Sequence, residues 1–297
     1  MKKYVIVSDT GCDMEESLRK EFDIEYIPMH YSLDGKDYAA DLDWGEISAP
    51  DFYNTMRGGK RFITSQVNVE DFKKAFSAYL VQGYDILYIS CSSALSSSIN
   101  ASRVAREALL KEYPDAKIVC IDGLRACYAL GLLAIRASEL RAEGKTIEET
   151  AAWIEANKDT VHMIGTVDKL TWLKQAGRVS ATSAFFGGLL NIKPIIVEDA
   201  KGQNFAMEKV KGRMTSLNRM VEIVKETWED VPYQRLYVSH TDCVEEAEKL
   251  KEMLLVALGK EIDVHIGYIG PCVGASVGPG TLSINYFGKK VTLNGDA

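Results

Sequence analysis

The sequence predicts an α/β protein of two domains, an N-terminal doubly wound parallel sheet followed by a second α/β domain. Three observations lead there. At 297 residues the chain exceeds what one small core needs and suits two domains or one large one. Short apolar runs alternate with stretches whose apolar residues recur at helical spacing, the pattern of strand and crossover helix. The turns that follow these runs are rich in Ser, Thr, Asp and Gly, and ligands collect outside the carboxyl ends of strands in such sheets.

Val5-Ile6-Val7 reads as a buried first strand, Ser8 to Asp13 as a turn, and Glu15 to Phe22 as a helix. Ile24 to Tyr31 has a strand pattern. The acidic stretch from Asp34 to Ser48 reads as irregular. Asn68, with Asp71 three residues on, is an N-cap for a helix whose apolar face is Val69, Phe72, Ala75, Phe76, Tyr79 and Leu80. Asp85 to Ile89 is the next strand, and a serine run separates it from a helix marked by Val104, Ala105, Ala108 and Leu109. Lys117 to Asp122 and Tyr128 to Glu143 repeat strand and helix. In the second half Val161–Thr166, Ile192–Val197 and Leu236–Val238 read as strands. Leu170 to Gln175 is a short helix ending at Gly177, and 215–228 and 244–258 are longer ones. The domains are expected to span 1–158 and 159–297.

Thirty-five Lys and Arg against 42 Asp and Glu give a formal charge of −7, which provides no basic field for nucleic acid. No apolar stretch approaches the roughly 20 residues of a membrane span, and the apolar run of Tyr4 to Val7 is too short for a signal peptide. Six cysteines without a CxxC or zinc spacing fit buried thiols of a reducing compartment, so the cytoplasm is the expected location.

Two motifs invite chemistry and fail. Gly144-Lys145-Thr146 lacks the glycine five residues earlier that a phosphate-binding loop needs, position 139 being Glu. Gly274-Ala275-Ser276-Val277-Gly278 matches a nucleophile elbow, but Pro279-Gly280 follows where a helix should begin, and no histidine follows Ser276. The four histidines are scattered, and metal catalysis has no support.

What remains is hydroxyl-rich loops. Ile89 to Ser98 carries six serines at a strand-to-helix turn, and Thr64-Ser65-Gln66 precedes the Asn68 helix. Helix N-termini attract anions, so these loops fit an anion site; they fit helix caps and turns equally well. Together with Asp9-Thr10-Gly11-Cys12-Asp13, Gly177-Arg178-Val179, Ile192-Lys193-Pro194-Ile195-Ile196 and Gly278-Pro279-Gly280, they make the chain resemble the DegV family, which includes the fatty-acid-binding subunits of bacterial fatty acid kinases. Six short motifs in the right order carry the resemblance over almost the whole chain.

The resemblance implies a two-domain fold enclosing one long-chain fatty acid between loops and core, without any further cofactor. The carboxylate would be held by Thr64, Ser65, Ser93 and Ser96, with Arg178 on the surface presented to a separate kinase subunit that makes an acyl phosphate for phospholipid metabolism. Three positions depart from the family pattern. Ser276 stands where a histidine is usual and joins the carboxylate set, Val67 replaces a proline, and Leu95-Ser96-Ser97-Ser98 replaces Leu-Ser-Gly-Thr. Leu95, Met163, Ile164, Phe185, Phe186, Leu189, Leu190 and Ile195 are candidate tail lining, though any one of them fits ordinary core better, and Gly187-Gly188 is a place for close backbone approach or simply a turn. The competing readings are a serine hydrolase using Ser276, a small-molecule transferase using the Asp9 and Ser93 loops, and a sugar- or phosphate-binding protein.

Overall fold

The computed structural model describes residues 3–180 and 191–295. In chain order its elements are β1 (Tyr4–Asp9), α1 (Glu16–Glu21), β2 (Ile24–Ile27), β3 (His30–Leu33), β4 (Lys36–Ala39), α2 (Ala49–Arg57), β5 (Ile63–Ser65), α3 (Val69–Leu80), β6 (Asp85–Ser90), α4 (Ser98–Glu112), β7 (Ile118–Asp122), α5 (Cys127–Ala142) and α6 (Ile147–Asn157). There follow β8 (Val161–Thr166), α7 (Thr171–Ala176), β9 (Ile192–Glu198), β10 (Asn204–Lys211), α8 (Arg213–Thr227), β11 (Leu236–His240), α9 (Val244–Leu258), β12 (Val264–Tyr268), α10 (Pro271–Val277) and β13 (Leu282–Phe287).

The fold is α/β with two domains. The first is built on a parallel sheet of order β2-β1-β6-β7, whose strands β1 and β6 are buried throughout, as unbroken apolar runs in parallel sheets are. The second carries a six-stranded sheet of order β10-β9-β8-β13-β11-β12, antiparallel except between β11 and β12. Helix α5 belongs to both. Its sequence has no polar stripe, twelve of its sixteen residues are buried, and it packs on β1 and β6 on one side and on β8 and β13 on the other.

The expected strand Ile24 to Tyr31 is two strands. Pro28 interrupts it, after which β3 leaves the parallel sheet and pairs antiparallel with β4 and β5 in a third, small sheet. The acidic stretch is likewise not wholly irregular: Asp34 (φ 52°) and Gly35 (φ 81°) form the two-residue turn of the β3–β4 hairpin. Gly144-Lys145-Thr146 separates α5 from α6, where Thr146 and Glu149 form a capping box. Strands β10, β12 and β13 were not anticipated.

One buried cation ties the domains together. Arg125, fully buried just ahead of α5, donates from Nε to the Val161 carbonyl (2.6 Å) and from Nη1 to those of Leu124 (2.6 Å) and Asp199 (3.2 Å). Asp199 opens the β9–β10 turn, accepting from the N–H groups of Lys201 and Gln203. In that turn Gly202 has φ 77°, and a Cβ there would overlap Ser92 Oγ and crowd Leu124. Only glycine meets both demands.

Candidate functional site

The carboxyl ends of β1, β6 and β7 supply the first wall of a cleft of about 310 Å³. Asp9 organises it from beneath. This carboxylate is buried and accepts from the Gly11 N–H (2.9 Å), the Tyr88 hydroxyl (2.6 Å) and the Cys91 N–H (3.0 Å), fixing the loops after β1 and β6 to each other. Burial raises its pKa despite those bonds. Its oxygens are engaged inside the protein, so the transferase reading, which needs Asp9 at a substrate, loses its acid–base group.

After β6 the chain makes a tight turn in which the Ser96 N–H donates to the Ser92 carbonyl (2.9 Å) and the Ala94 N–H to Ser92 Oγ (3.2 Å). The serines then divide by role. Ser90, Ser92 and Ser98 are buried and bond within the protein, Ser98 Oγ accepting from the Val67 N–H (3.2 Å). Ser93 is exposed and Ser96 half-buried, both facing the cleft. Capping does not account for Ser93: the N-cap of α4, Ser97, makes no side-chain cap, and α3 is capped by Asn68, which accepts from the Asp71 N–H (2.9 Å); Ser96 Oγ does accept from the N–H of Ser98, the first residue of α4 (3.3 Å).

Thr64 and Ser65 reach the cleft from the edge strand β5, not from a loop, and Ser276 reaches it from α10. All five hydroxyl residues expected at the site therefore line one cleft. Among the described residues Thr64 Oγ1, Ser65 Oγ and Ser93 Oγ make no hydrogen bond, Ser96 Oγ is shared with Ser98 Oγ (3.0 Å) and accepts from the Ser98 N–H (3.3 Å), and Ser276 Oγ makes a long bond to the Cys272 carbonyl (3.5 Å). Arg178 lies on the rim after Gly177, which ends α7 in a left-handed conformation, and its Nε donates to the Leu95 carbonyl (3.1 Å). It is the one charged side chain among the described lining residues. Burial raises the Cys91 and Cys272 thiols well above their ordinary value, so they add no charge.

The nucleophile-elbow reading fails on geometry. Ser276 sits in the last turn of α10 instead of at a strand-to-helix turn, and no histidine or carboxylate is among the described residues lining the cleft. Nor do the described residues include a metal-binding cluster of His, Cys, Asp or Glu.

Beneath the cleft, sharing Ala126, Asn204, Val273 and Val277 with it, is an apolar chamber of about 40 Å³. Strand alternation decides which tail candidates reach it. Met163 and Gly165 of β8 and Ile196 of β9 line the chamber, so Ile164 and Ile195 point the opposite way, into the core under α8. Those two expectations are corrected: their neighbours, one residue along, hold the positions. Leu95 lines the cleft above. Phe185, Phe186, Gly187, Gly188, Leu189 and Leu190 lie outside the described residues. The wall residues that escaped the sequence reading include Asn204, in an unrecognised strand, and Glu198, at the end of β9; nothing local in the sequence distinguishes either.

Among known proteins, the model of the DegV family, a family of uncharacterised proteins, matches residues 3–289. A DegV domain-containing protein of Clostridium perfringens is 39% identical over 97% of this chain and 98% of its own length. A hypothetical protein of Thermotoga maritima whose structure revealed a fatty acid binding function superposes with a TM-score of 0.83 at 28% identity, over 97% of this chain and all of that one. DegV of Bacillus subtilis, a fatty acid binding protein, gives 0.82 at 26% identity, over 97% and 100%. Among the described residues no helix is long and apolar enough to cross a membrane.

Proposed function

The chain belongs to the DegV family, and from that premise we propose that it binds a long-chain fatty acid with its carboxylate in the hydroxyl cleft and its tail in the chamber below. The observation that carries the reading is convergence: hydroxyls from β5, the β6–α4 turn and α10 meet in one cleft that opens onto an apolar interior. Burying a carboxylate costs several kcal/mol unless hydrogen bonds replace its water. Donors to a charged group contribute about 1.5–3 kcal/mol each, so two or three of Thr64, Ser65, Ser93 and Ser96 offset that cost. Arg178 on the rim and the N-terminal end of α4 add favourable potential for an anion.

Affinity then comes from the tail, at about 0.8 kcal/mol per buried methylene. A space of about 40 Å³ holds roughly three water-sized groups at about 10–15 Å³ each. A long chain therefore enters only as the walls part, and Met163, unbranched and adaptable, is the wall residue best suited to move. In this reading the protein is a carrier that offers the carboxylate to a separate kinase docking over Arg178, since Gly144-Lys145-Thr146 builds a helix cap and not a phosphate loop.

Extraction of freshly purified protein followed by lipid mass spectrometry tests the proposal. A stoichiometric fatty acid is expected. Failure to recover any acyl chain, together with no binding of added fatty acid, overturns it.

A further inference from the structure

The chamber contains one group that an ordinary fatty acid does not explain. Glu198 closes β9 with its side chain fully buried in the chamber wall. Its Oε1 accepts from the Ala126 N–H (2.7 Å). Its Oε2 makes no hydrogen bond among the described residues and stands 4.0 Å from Arg125 Nε, whose own N–H is given to the Val161 carbonyl.

Among the described residues, the other polar side chains of this wall each make at least one hydrogen bond. The Ser283 hydroxyl pairs with that of Ser239 (2.6 Å), Thr281 Oγ1 donates to the Gly278 carbonyl (3.0 Å), and Asn204 Nδ2 donates to the Arg178 carbonyl (3.0 Å). Glu198 Oε2 is the one fully buried polar atom without a partner among the described wall residues, most of which are apolar. Burial pushes the Glu198 carboxyl up to about 8, so at neutral pH it is largely a neutral acid. With Oε1 accepting an N–H, the proton belongs on Oε2, which can donate it.

A saturated chain threading past this group would leave a buried O–H against methylenes with nothing to accept it, which polar groups resist. A chain oxygen at that depth would satisfy it. We propose that Glu198 makes the site selective for oxygenated acyl chains, a hydroxy or oxo fatty acid whose chain oxygen hydrogen-bonds Glu198 Oε2. The inference rests on the fatty-acid reading above and names the substrate class within it.

The test is calorimetric titration of the full chain with octadecanoic acid and with monohydroxylated and oxo octadecanoic acids bearing the oxygen near the middle, in the distal third and at the end of the chain. At least one positional isomer is expected to bind on the order of tenfold or more tighter than the unsubstituted acid, because a site with a buried polar group discriminates against the ligand that leaves it unpaired. Glu198→Gln, which keeps a donor and an acceptor, should retain the preference. Glu198→Leu alone strands Arg125, so it is combined with Arg125→Met; the double variant should lose the preference and bind the unsubstituted acid at least as well. If octadecanoic acid binds and no oxygenated isomer binds tighter, the selectivity is refuted while the fatty-acid reading stands. A preference that survives the double variant assigns it elsewhere and refutes the role of Glu198. If no acyl chain binds, both readings fail.

Discussion

Replacing Arg125 by Met should loosen the junction between the two domains more than any surface change. The side chain donates three hydrogen bonds to backbone carbonyls on three segments, those of Leu124, Val161 and Asp199, and stands 4.0 Å from Glu198. At the lower limit of about 1.5 kcal/mol for a bond from a charged donor, the three sum to roughly 4.5 kcal/mol. Burial itself opposes the charge on Arg125, so part of this is returned. A net loss of about 3–4 kcal/mol is a large fraction of an ordinary stability of 5–15 kcal/mol. At about 2–4 °C per kcal/mol, the melting temperature should fall by roughly 10 °C in a thermal scan. Adding Glu198→Leu should recover part of that fall, because it removes a buried carboxyl with one unpaired oxygen. A single-variant loss below about 1 kcal/mol, or a double variant less stable than the sum of its parts, would refute the assignment of Arg125 as the junction.

Ser93→Ala and Thr64→Ala should each weaken fatty-acid binding by roughly ten- to hundred-fold in fluorescence displacement, the equivalent of one charge-assisted bond, and effects below twofold would move the carboxylate elsewhere. Gly202→Ala should cost about 2–3 kcal/mol in urea unfolding, combining left-handed backbone strain with the overlap on Ser92; a neutral result would mean that the turn relaxes freely. Stability should fall as pH rises from about 6.5 to 8. Asp13 and Glu198, both held up to about 8 by burial, keep protons that the unfolded chain has released. At 1.36 kcal/mol per pH unit that amounts to about 1–2 kcal/mol for each group. His162, lowered to about 4 by burial, and His240, also lowered, act in the opposite sense, but only below their ordinary value of 6.5. Asp13→Asn should flatten the decline in denaturation curves taken across that window, and an unchanged slope would remove Asp13 from the account.

The parallel sheet was legible because β1, β6 and β7 are short apolar runs followed by turn residues and amphipathic helices, a signal that survives without tertiary context. The small third sheet was not, because β5 is three residues long and pairs on one side only, so Ile63-Thr64-Ser65 reads as a polar approach to a helix. The Asp34-Gly35 turn carried a hairpin signal that the surrounding acidic residues obscured. Strand β13 hid for a different reason. Ser283 and Asn285 break its apolar run, yet they are buried, facing Ser239 and Cys127 in an interior polar cluster that no local pattern announces. At the site, residue types were readable and directions were not. Period-two alternation separates Met163 from Ile164, but only pairing with β9 and β13 shows which face meets the chamber.

Helix α5 has a consequence for how this protein comes apart. Each domain counts the same sixteen residues among its walls, so neither owns them. A fragment ending at the boundary we propose, residue 158, would carry α5 with one flank bare to water, and the complementary fragment would lack the lid over β8 and β13 altogether. Limited proteolysis near that boundary should therefore yield no persistent half. Melting should be a single event, and domain shuffling between relatives should succeed only when α5 travels with both of its neighbours.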